Sequence, residues 1–404
     1  MPFYSRDLEI VLKKYAKFPV IALLGPRQSG KTTLSRHTFK NHVFLNLDDL
    51  ELLHLIKEDP KGILRKYENE HGIIIDEFQN APEILSYIKI IVDEKDRPGY
   101  FVLTGSQNFL MNEAITQTLA GRVGILTLLP LSLHELTHNK LIPDQTPEKV
   151  IFNGGYPRLY NSSFEPHEFY SSYIRTYVER DVRQLINVTN LYTFQKFIKL
   201  CAARIGQLVN FSELAMQCGI SIPTAHQWLS ILESSYIIFL LRPHWTNFNK
   251  RLTKTPKLYF YDTGLACNLL EIESEKTLAL NPLYGNLFEC LIISDLYKQY
   301  YNQGLMPPLY FWRDRNGQME VDCVIEKDGK LIPIEIKAGE TFTPHFFDSL
   351  TKWKKLAEEN ASNENYVIYA GTMTLLGTFG ILVSWKDAAQ LIKNMKKQVT
   401  IEAA

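Results

Sequence analysis

Residues 25 to 33 read Gly25-Pro26-Arg27-Gln28-Ser29-Gly30-Lys31-Thr32-Thr33, the full G-x-x-x-x-G-K-[ST] spacing, directly after the apolar run Val20-Ile21-Ala22-Leu23-Leu24. The spacing carries a mechanism. Glycines at 25 and 30 let the backbone double back, so that successive amides of the loop and of the following helix point at one phosphate. Lys31 then bridges β- and γ-phosphates, and Thr32 offers its hydroxyl to Mg²⁺. A turn that merely joined a strand to a helix would have no need of Lys and Thr after its second glycine. The expected ligand is a nucleoside triphosphate with magnesium.

Hydrolysis needs acids near that loop. Gly72-Ile73-Ile74-Ile75-Asp76-Glu77 is a β-branched run suited to a strand buried on both faces, and it ends in two carboxylates. Asp76 is expected in the magnesium shell. Glu77, one residue on and directed differently, is expected to polarise the attacking water. Tyr100 to Gln107 forms the next buried strand, and its Thr104 and Ser106 are candidate sensors of the γ-phosphate. Ordinary strand-end turn residues are the competing reading. Arg122, beside Gly121, can present its fork to a transition-state phosphate within its own chain or across a subunit boundary. A surface salt bridge is the alternative.

A second set lies toward the C-terminus: Arg313-Asp314, Glu320-Val321-Asp322 and Pro333-Ile334-Glu335-Ile336-Lys337. Period-two geometry places Glu335 and Lys337 on one strand face, opposite Ile334 and Ile336. Asp322 and Glu335 are candidate ligands of a second Mg²⁺ or Mn²⁺, and Lys337 a candidate to orient or activate water. Glu289, on a predicted helix from Leu287 to Tyr297, adds a third acid. Solvated acids on a hairpin are the competing reading, and Asp314 and Glu320 read as turn or edge charges.

The segments GPRQSGKTT, IIIDEFQ, LTGSQNF and LAGRVGILTLLPLSLHEL, with Tyr156-Pro157 and Tyr177-Val178-Glu179-Arg180-Asp181-Val182, resemble the AAA+-related bacterial and archaeal ATPases that carry a C-terminal DUF4143 domain. The resemblance runs along nearly the whole chain. It implies a P-loop core of parallel strands flanked by helices, and ATP hydrolysis. Glu289, Asp322 and the Glu335-x-Lys337 pair match, in turn, the pattern of PD-(D/E)xK nucleases, and the tail resembles the restriction-endonuclease-like fold. AAA+ relatives often hydrolyse at subunit boundaries, which makes a homo-oligomer compatible with this resemblance.

Positioning these residues takes several elements. A chain of 404 residues exceeds what one core serves. The expected units are a P-loop domain over 1–145, a helical and winged-helix-like region over 146–270, and a nuclease-like α/β domain over 271–404. Asn139 to Lys149 carries two prolines and charges and reads as the first linker. In the middle unit, Ser212 is expected to cap a short helix ending at Gly219, and Ser221 the next helix, with Pro223 in its first turn. Two short capped helices around a glycine, followed by the runs 236–241 and 258–261, suggest a winged helix. Its second helix offers Thr224, His226, Gln227 and Ser230 but no Arg or Lys, so sequence readout is weak. Lys250, Arg251, Lys254 and Lys257 form a candidate phosphate-contacting patch for DNA.

Composition narrows the setting. Lys plus Arg equals Asp plus Glu at 44 each, so a nucleic-acid surface must be local. The five cysteines form no C-x-x-C pair, which argues against a zinc site or a disulfide framework and for buried thiols. No apolar run has the length of a membrane span and no signal peptide is visible, so no membrane partner and a cytoplasmic location are expected. Two functions follow. One is a magnesium-dependent ATPase that couples nucleotide state to a DNA-binding, nuclease-like tail. The other is a non-cleaving ATP-driven switch that engages a protein partner.

Overall fold

The computed structural model describes residues 3–106, 115–143, 145–162, 164–178, 191–244, 254–314 and 316–395. Its first sheet joins β1 (Val20–Gly25), β2 (Val43–Asn46), β3 (Ile73–Asp76), β4 (Phe101–Ser106) and β5 (Val123–Thr127), all parallel, in the order β2-β3-β4-β1-β5. Alternation explains its burial. Val20, Ala22 and Leu24 of β1 join Ile73, Ile75 and Leu103 against the helix Ile84–Lys95, whereas Ile21, Leu23, Ile74 and Val102 meet Leu8 and Leu12 of the helix Leu8–Tyr15 on the other face. Strands buried on both faces are apolar throughout, as the sequence pattern required. Because the strands are parallel, their carboxyl ends share one edge, where Leu23 and Asp76 both pair with Thr104.

The middle of the chain is helical, with helices Leu191–Ala202, Phe211–Cys218 and Ile222–Ser234 followed by β6 (Ile238–Leu241) and its antiparallel partner β7 (Lys257–Phe260). Gly219 ends the second of these helices at φ 66°, and Ser221 Oγ accepts from the Thr224 amide at 3.2 Å. The cap of Phe211–Cys218 is Asn210 rather than Ser212. The chain is extended at Asn210, whose Oδ1 accepts from Glu213 N at 3.1 Å, which leaves Ser212 inside the first turn. His226, Gln227 and Ser230 are exposed, whereas Thr224 is half-buried.

The C-terminal sheet has six strands, β8 (Leu309–Arg313), β9 (Glu320–Lys327), β10 (Lys330–Lys337), β11 (Tyr366–Tyr369), β12 (Leu375–Gly377) and β13 (Gly380–Ser384), in the order β12-β13-β11-β10-β9-β8. The helix Tyr284–Tyr301 packs with Ile334 and Ile336 on one face, and the helix Asp348–Ala357 with Trp312 and Val324 on the other. A single buried core runs from Leu129 through the middle helices to Ile336 and Met395. All five cysteines are free and buried. Among the described residues no helix is long and apolar enough to cross a membrane.

Candidate functional site

The phosphate loop leaves β1 at Gly25, whose φ is 148° and where a Cβ would lie 2.2 Å from the Leu128 carbonyl oxygen. Only glycine fits both constraints. Gln28 and Gly30 follow with left-handed φ of 60° and 97°, which curl the backbone toward the start of the helix Lys31–Thr38. Gly30 caps that helix without a side chain, so its first-turn amides face the loop's concave side. Lys31 is buried, and its ammonium donates to the carbonyls of Gly25 at 3.0 Å and Pro26 at 2.8 Å. Ser29 is fully buried, with an Oγ that lacks a hydrogen-bond partner. Pro26 is buried, Arg27 half-buried and Thr33 exposed.

Strand register brings the next residues to this loop. Thr32 Oγ1 donates to both oxygens of Asp76, at 3.0 and 2.9 Å, and Thr104 Oγ1 donates to Asp76 Oδ1 from the neighbouring strand. Burial raises the Asp76 carboxyl above its ordinary value, the two threonine hydroxyls oppose that shift, and Glu77 adds to it. A buried carboxylate flanked by hydroxyls is a hard-oxygen set of the kind magnesium selects. The concave backbone, the poised ammonium, the unpartnered Ser29 hydroxyl and this oxygen set fit a magnesium-bound triphosphate.

Glu77 sits at φ 54°, which turns its side chain away from Asp76, and Gln79 Nε2 donates to both Glu77 Oε2 and Ser106 Oγ, the latter at 3.2 Å. Gln79 has no role readable from the sequence beyond its place at the end of the IIIDEFQ run, two residues after Glu77. Arg6 was also missed. Its guanidinium is buried, donating to the Ser29 carbonyl at 2.7 Å, the Leu129 carbonyl at 2.7 Å and Glu135 Oε1 at 2.9 Å. Glu135 in turn closes a capping box with Ser132 and accepts from the Asp7 amide. Nothing in the residue types around Arg6 marks it.

Arg122 lies elsewhere. It precedes β5, its carbonyl accepts from Val20 N, and its side chain pairs with Asp93. Val20 starts β1 and Gly25 ends it, a strand rise of about 16 Å, so Arg122 is at the opposite end of the sheet from the loop. It does not serve the phosphate of its own chain.

In the tail, the β9–β10 ladder ends at Cys323 and Ile334, and Asp322 Oδ2 takes the next inward amide, Ile336 N, at 2.8 Å. Glu335 Oε1 pairs with Lys337 at 2.6 Å. Glu289, on the helix Tyr284–Tyr301, accepts from Tyr259 and pairs with Lys257 at 3.1 Å. The predicted residues therefore converge, with Glu289 and Glu335 paired to ammonium groups and Asp322 bonded to a backbone amide. Among the described residues no cluster of three or more His, Cys, Asp or Glu side chains is arranged to hold a metal, so the ligand set Glu289, Asp322 and Glu335 gains no support from the geometry. Glu320 is no free edge charge, since it pairs with Lys257 and Arg313. Asp314 does serve its turn, accepting from the Gln318 and Met319 amides.

Burial, reinforced by the Asp322 charge, lifts both Glu289 and Glu335 to about 7, with Lys257 and Lys337 opposing. Burial also works against the Lys257 charge, but Glu289, Asp322 and Glu320 outweigh it and hold that ammonium above the usual lysine value. Partners Lys257 and Glu289 thus shift the same way, because burial, helped by the Asp322 charge, outweighs the lysine's pull on the glutamate.

The DNA patch is altered accordingly. Lys250 and Arg251 lie outside the described residues, Lys254 is exposed, and Lys257 is 3% exposed. Lys257 faces the tail's acids rather than solvent, so it is no part of a phosphate-contacting surface.

Family models match three successive stretches: an AAA domain over residues 17–137, a domain of unknown function (DUF8612) over 144–276, and another (DUF4143) over 284–384. An uncharacterized protein of Mycobacterium tuberculosis is 30% identical over 328 residues, spanning 80% of this chain and 71% of its own. One from Haemophilus influenzae is 21% identical over 62% of each chain. Among solved structures, the Walker-type ATPase of Pyrococcus abyssi aligns over 66% of this chain and 96% of its own, at 15% identity and a TM-score of 0.42. The Holliday junction branch migration motor RuvB of Thermotoga maritima aligns over 58% and 87%, at 18% identity and 0.31. With an AAA domain on its phosphate loop, DUF4143 on its tail and a relative matched along most of both lengths, the chain belongs to the family of AAA+-related P-loop ATPases with a C-terminal DUF4143 domain.

Proposed function

We propose that this chain hydrolyses ATP with magnesium and acts as a non-cleaving switch, in which the state of the phosphate loop alters the tail for a protein partner. The convergence of Thr32, Asp76 and Thr104 at the mouth of the glycine cradle carries the hydrolytic part. The loop amides and Lys31 hold the phosphates, and Thr32 and Asp76 hold magnesium, which supplies charge neutralisation there. Glu77 orients and deprotonates water, and Gln79 sets its direction by linking it to Ser106.

A connected path supports coupling. Ser29 is bonded to Arg6, Arg6 to Glu135, and the helix that holds Glu135 begins at Leu133, whose amide donates at 2.7 Å to buried Asp295 on the same helix as Glu289. Contiguous hydrogen bonds between rigid elements are a physical basis for coupling. ATP turnover tests the reading. Lys31→Ala is expected to abolish it and Lys337→Ala to leave it intact, whereas turnover that survives in Lys31→Ala refutes it.

A second reading, a nuclease-like tail behind a winged helix that contacts DNA, draws on the convergence of Glu289, Asp322, Glu335 and Lys337 and on the helix pair followed by the β6–β7 hairpin. Incubation with duplex and single-stranded DNA plus Mn²⁺ decides it. Metal-dependent cleavage lost in Glu335→Gln would replace the switch with this reading.

A further inference from the structure

We propose that Lys257 is the built-in cation of the tail's acid cluster, taking the place of a divalent metal and keeping the cluster closed. Four carboxylates, Glu289, Glu320, Asp322 and Glu335, converge there, and the positive charge facing them is Lys257, Arg313 and Lys337. Lys257 bridges two elements at once, 3.1 Å from Glu289 on the helix and 2.5 Å from Glu320 on β9. A buried ammonium between two carboxylates makes the electrostatic connection that a metal makes in an open acid site.

The lysine comes from outside the tail. It opens β7, bridges to Leu208, and passes its ammonium 5.6 Å from the Phe311 ring. The hairpin is anchored to β8 by the Pro243–Phe311 bridge and by His244 N donating to the Phe311 carbonyl at 2.7 Å. The middle unit thus inserts its cation into the tail's site. One oxygen of each of three acids is engaged: Glu289 Oε1 by Lys257 and Tyr259, Asp322 Oδ2 by Ile336 N, and Glu335 Oε1 by Lys337, while Glu335 Oε2 is buried without a partner. A metal entering between Glu289 and Glu320 would compete with the ammonium for both acids, since like charges at contact distance in a buried site repel strongly.

The inference rests on the acid cluster and not on ATP hydrolysis, so it is tested in the full chain carrying Lys31→Ala, without nucleotide. Mn²⁺ is titrated and followed by the paramagnetic resonance signal of the free ion, with thermal unfolding alongside. With Lys257 present, the chain and its Glu335→Gln variant should bind Mn²⁺ alike. Lys257→Met should gain one Mn²⁺ equivalent, bound about tenfold or more tightly than before, and adding Glu335→Gln should remove it. Mn²⁺ should also raise the melting temperature of Lys257→Met but not of the protein that keeps the lysine. Lys257→Arg, which keeps the charge, should gain nothing. Mn²⁺ binding that falls on Glu335→Gln while Lys257 is present overturns the proposal, as does a folded Lys257→Met that gains no site. Should Lys257→Met fail to fold, the Glu335→Gln comparison alone decides, equal binding supporting the closed cluster and unequal binding refuting it.

Discussion

Replacing Arg6 with alanine should loosen the phosphate loop from behind. The side chain is 4% exposed and makes three short bonds, to Glu135 Oε1 at 2.9 Å and to the carbonyls of Ser29 and Leu129 at 2.7 Å each. Removing one member of a buried ion pair costs about 3–5 kcal/mol. Glu135 retains the amides of Ser132 and Asp7, both at 2.9 Å, so its carboxylate is not stranded and the loss falls at about 3 kcal/mol, the lower end of that range. That corresponds to roughly a hundredfold shift in the opening equilibrium of the loop. All five tryptophans lie at or beyond Trp228, so their fluorescence does not report on the P-loop sheet. Hydrogen exchange read by mass spectrometry over residues 20–38 does, and it should quicken by about that factor where exchange goes through local opening. The Michaelis constant for ATP should rise in parallel. Arg6→Lys should recover little, because a point ammonium cannot serve three acceptors that a planar fork reaches together. Unchanged exchange and an unchanged Michaelis constant in Arg6→Ala would refute the claim that this contact holds the loop.

Three further outcomes follow from the geometry. Asp76→Asn should lower ATP turnover about a hundredfold or more by weakening the magnesium site, while Thr104→Val, which removes one supporting hydroxyl, should cost less; equal losses would contradict their separate roles. Gly25→Ala, which sets a Cβ 2.2 Å from the Leu128 carbonyl at φ 148°, should destabilise the first sheet by about 1–3 kcal/mol from backbone strain alone, read from melting curves. Glu289 and Glu335 titrate near 7 in the folded tail against an ordinary 4.5, so the folded state binds their protons more tightly than the unfolded one. Their stabilising effect is complete below about 4.5 and is lost as pH rises to about 7. Tail stability measured by tryptophan fluorescence should therefore fall across that window, and Glu335→Gln should flatten the fall.

What was legible in the sequence is what depends on short spacing. The phosphate loop, the acid pair at Asp76 and Glu77, and the strands behind them can be read because each is one run of residues whose period and end chemistry are fixed locally. Glu289, Asp322, Glu335 and Lys337 lie near one another for a similarly local reason, since strand alternation and one helix suffice to bring them together. Arg6 and Lys257 show where such reasoning stops. An arginine in a polar N-terminal segment and a lysine opening a strand look like solvated charge, and only tertiary packing buries them. The same limit explains Arg122: a glycine-arginine pair says nothing about which end of a parallel sheet it occupies.

Both hidden cations do related work, which bears on how the protein could act as one machine. Arg6 joins the phosphate loop to the capping box of Glu135, and the amide at the start of that helix binds Asp295, buried in the tail's long helix. Lys257 joins the middle hairpin to Glu289, nearly two turns earlier on the same helix. The helix Tyr284–Tyr301 therefore receives a buried hydrogen bond from the P-loop side and a buried charge from the middle unit. A buried charge pair is a poor source of stability and a good source of register, because a shifted partner leaves an uncompensated ion. A displacement of this helix by the loop could not leave the Lys257 contact unchanged. On the proposed switch, coupling between nucleotide state and tail would need no hinge between independent domains; it would need one helix held by a buried amide bond from the P-loop side and by the Lys257 charge from the middle unit.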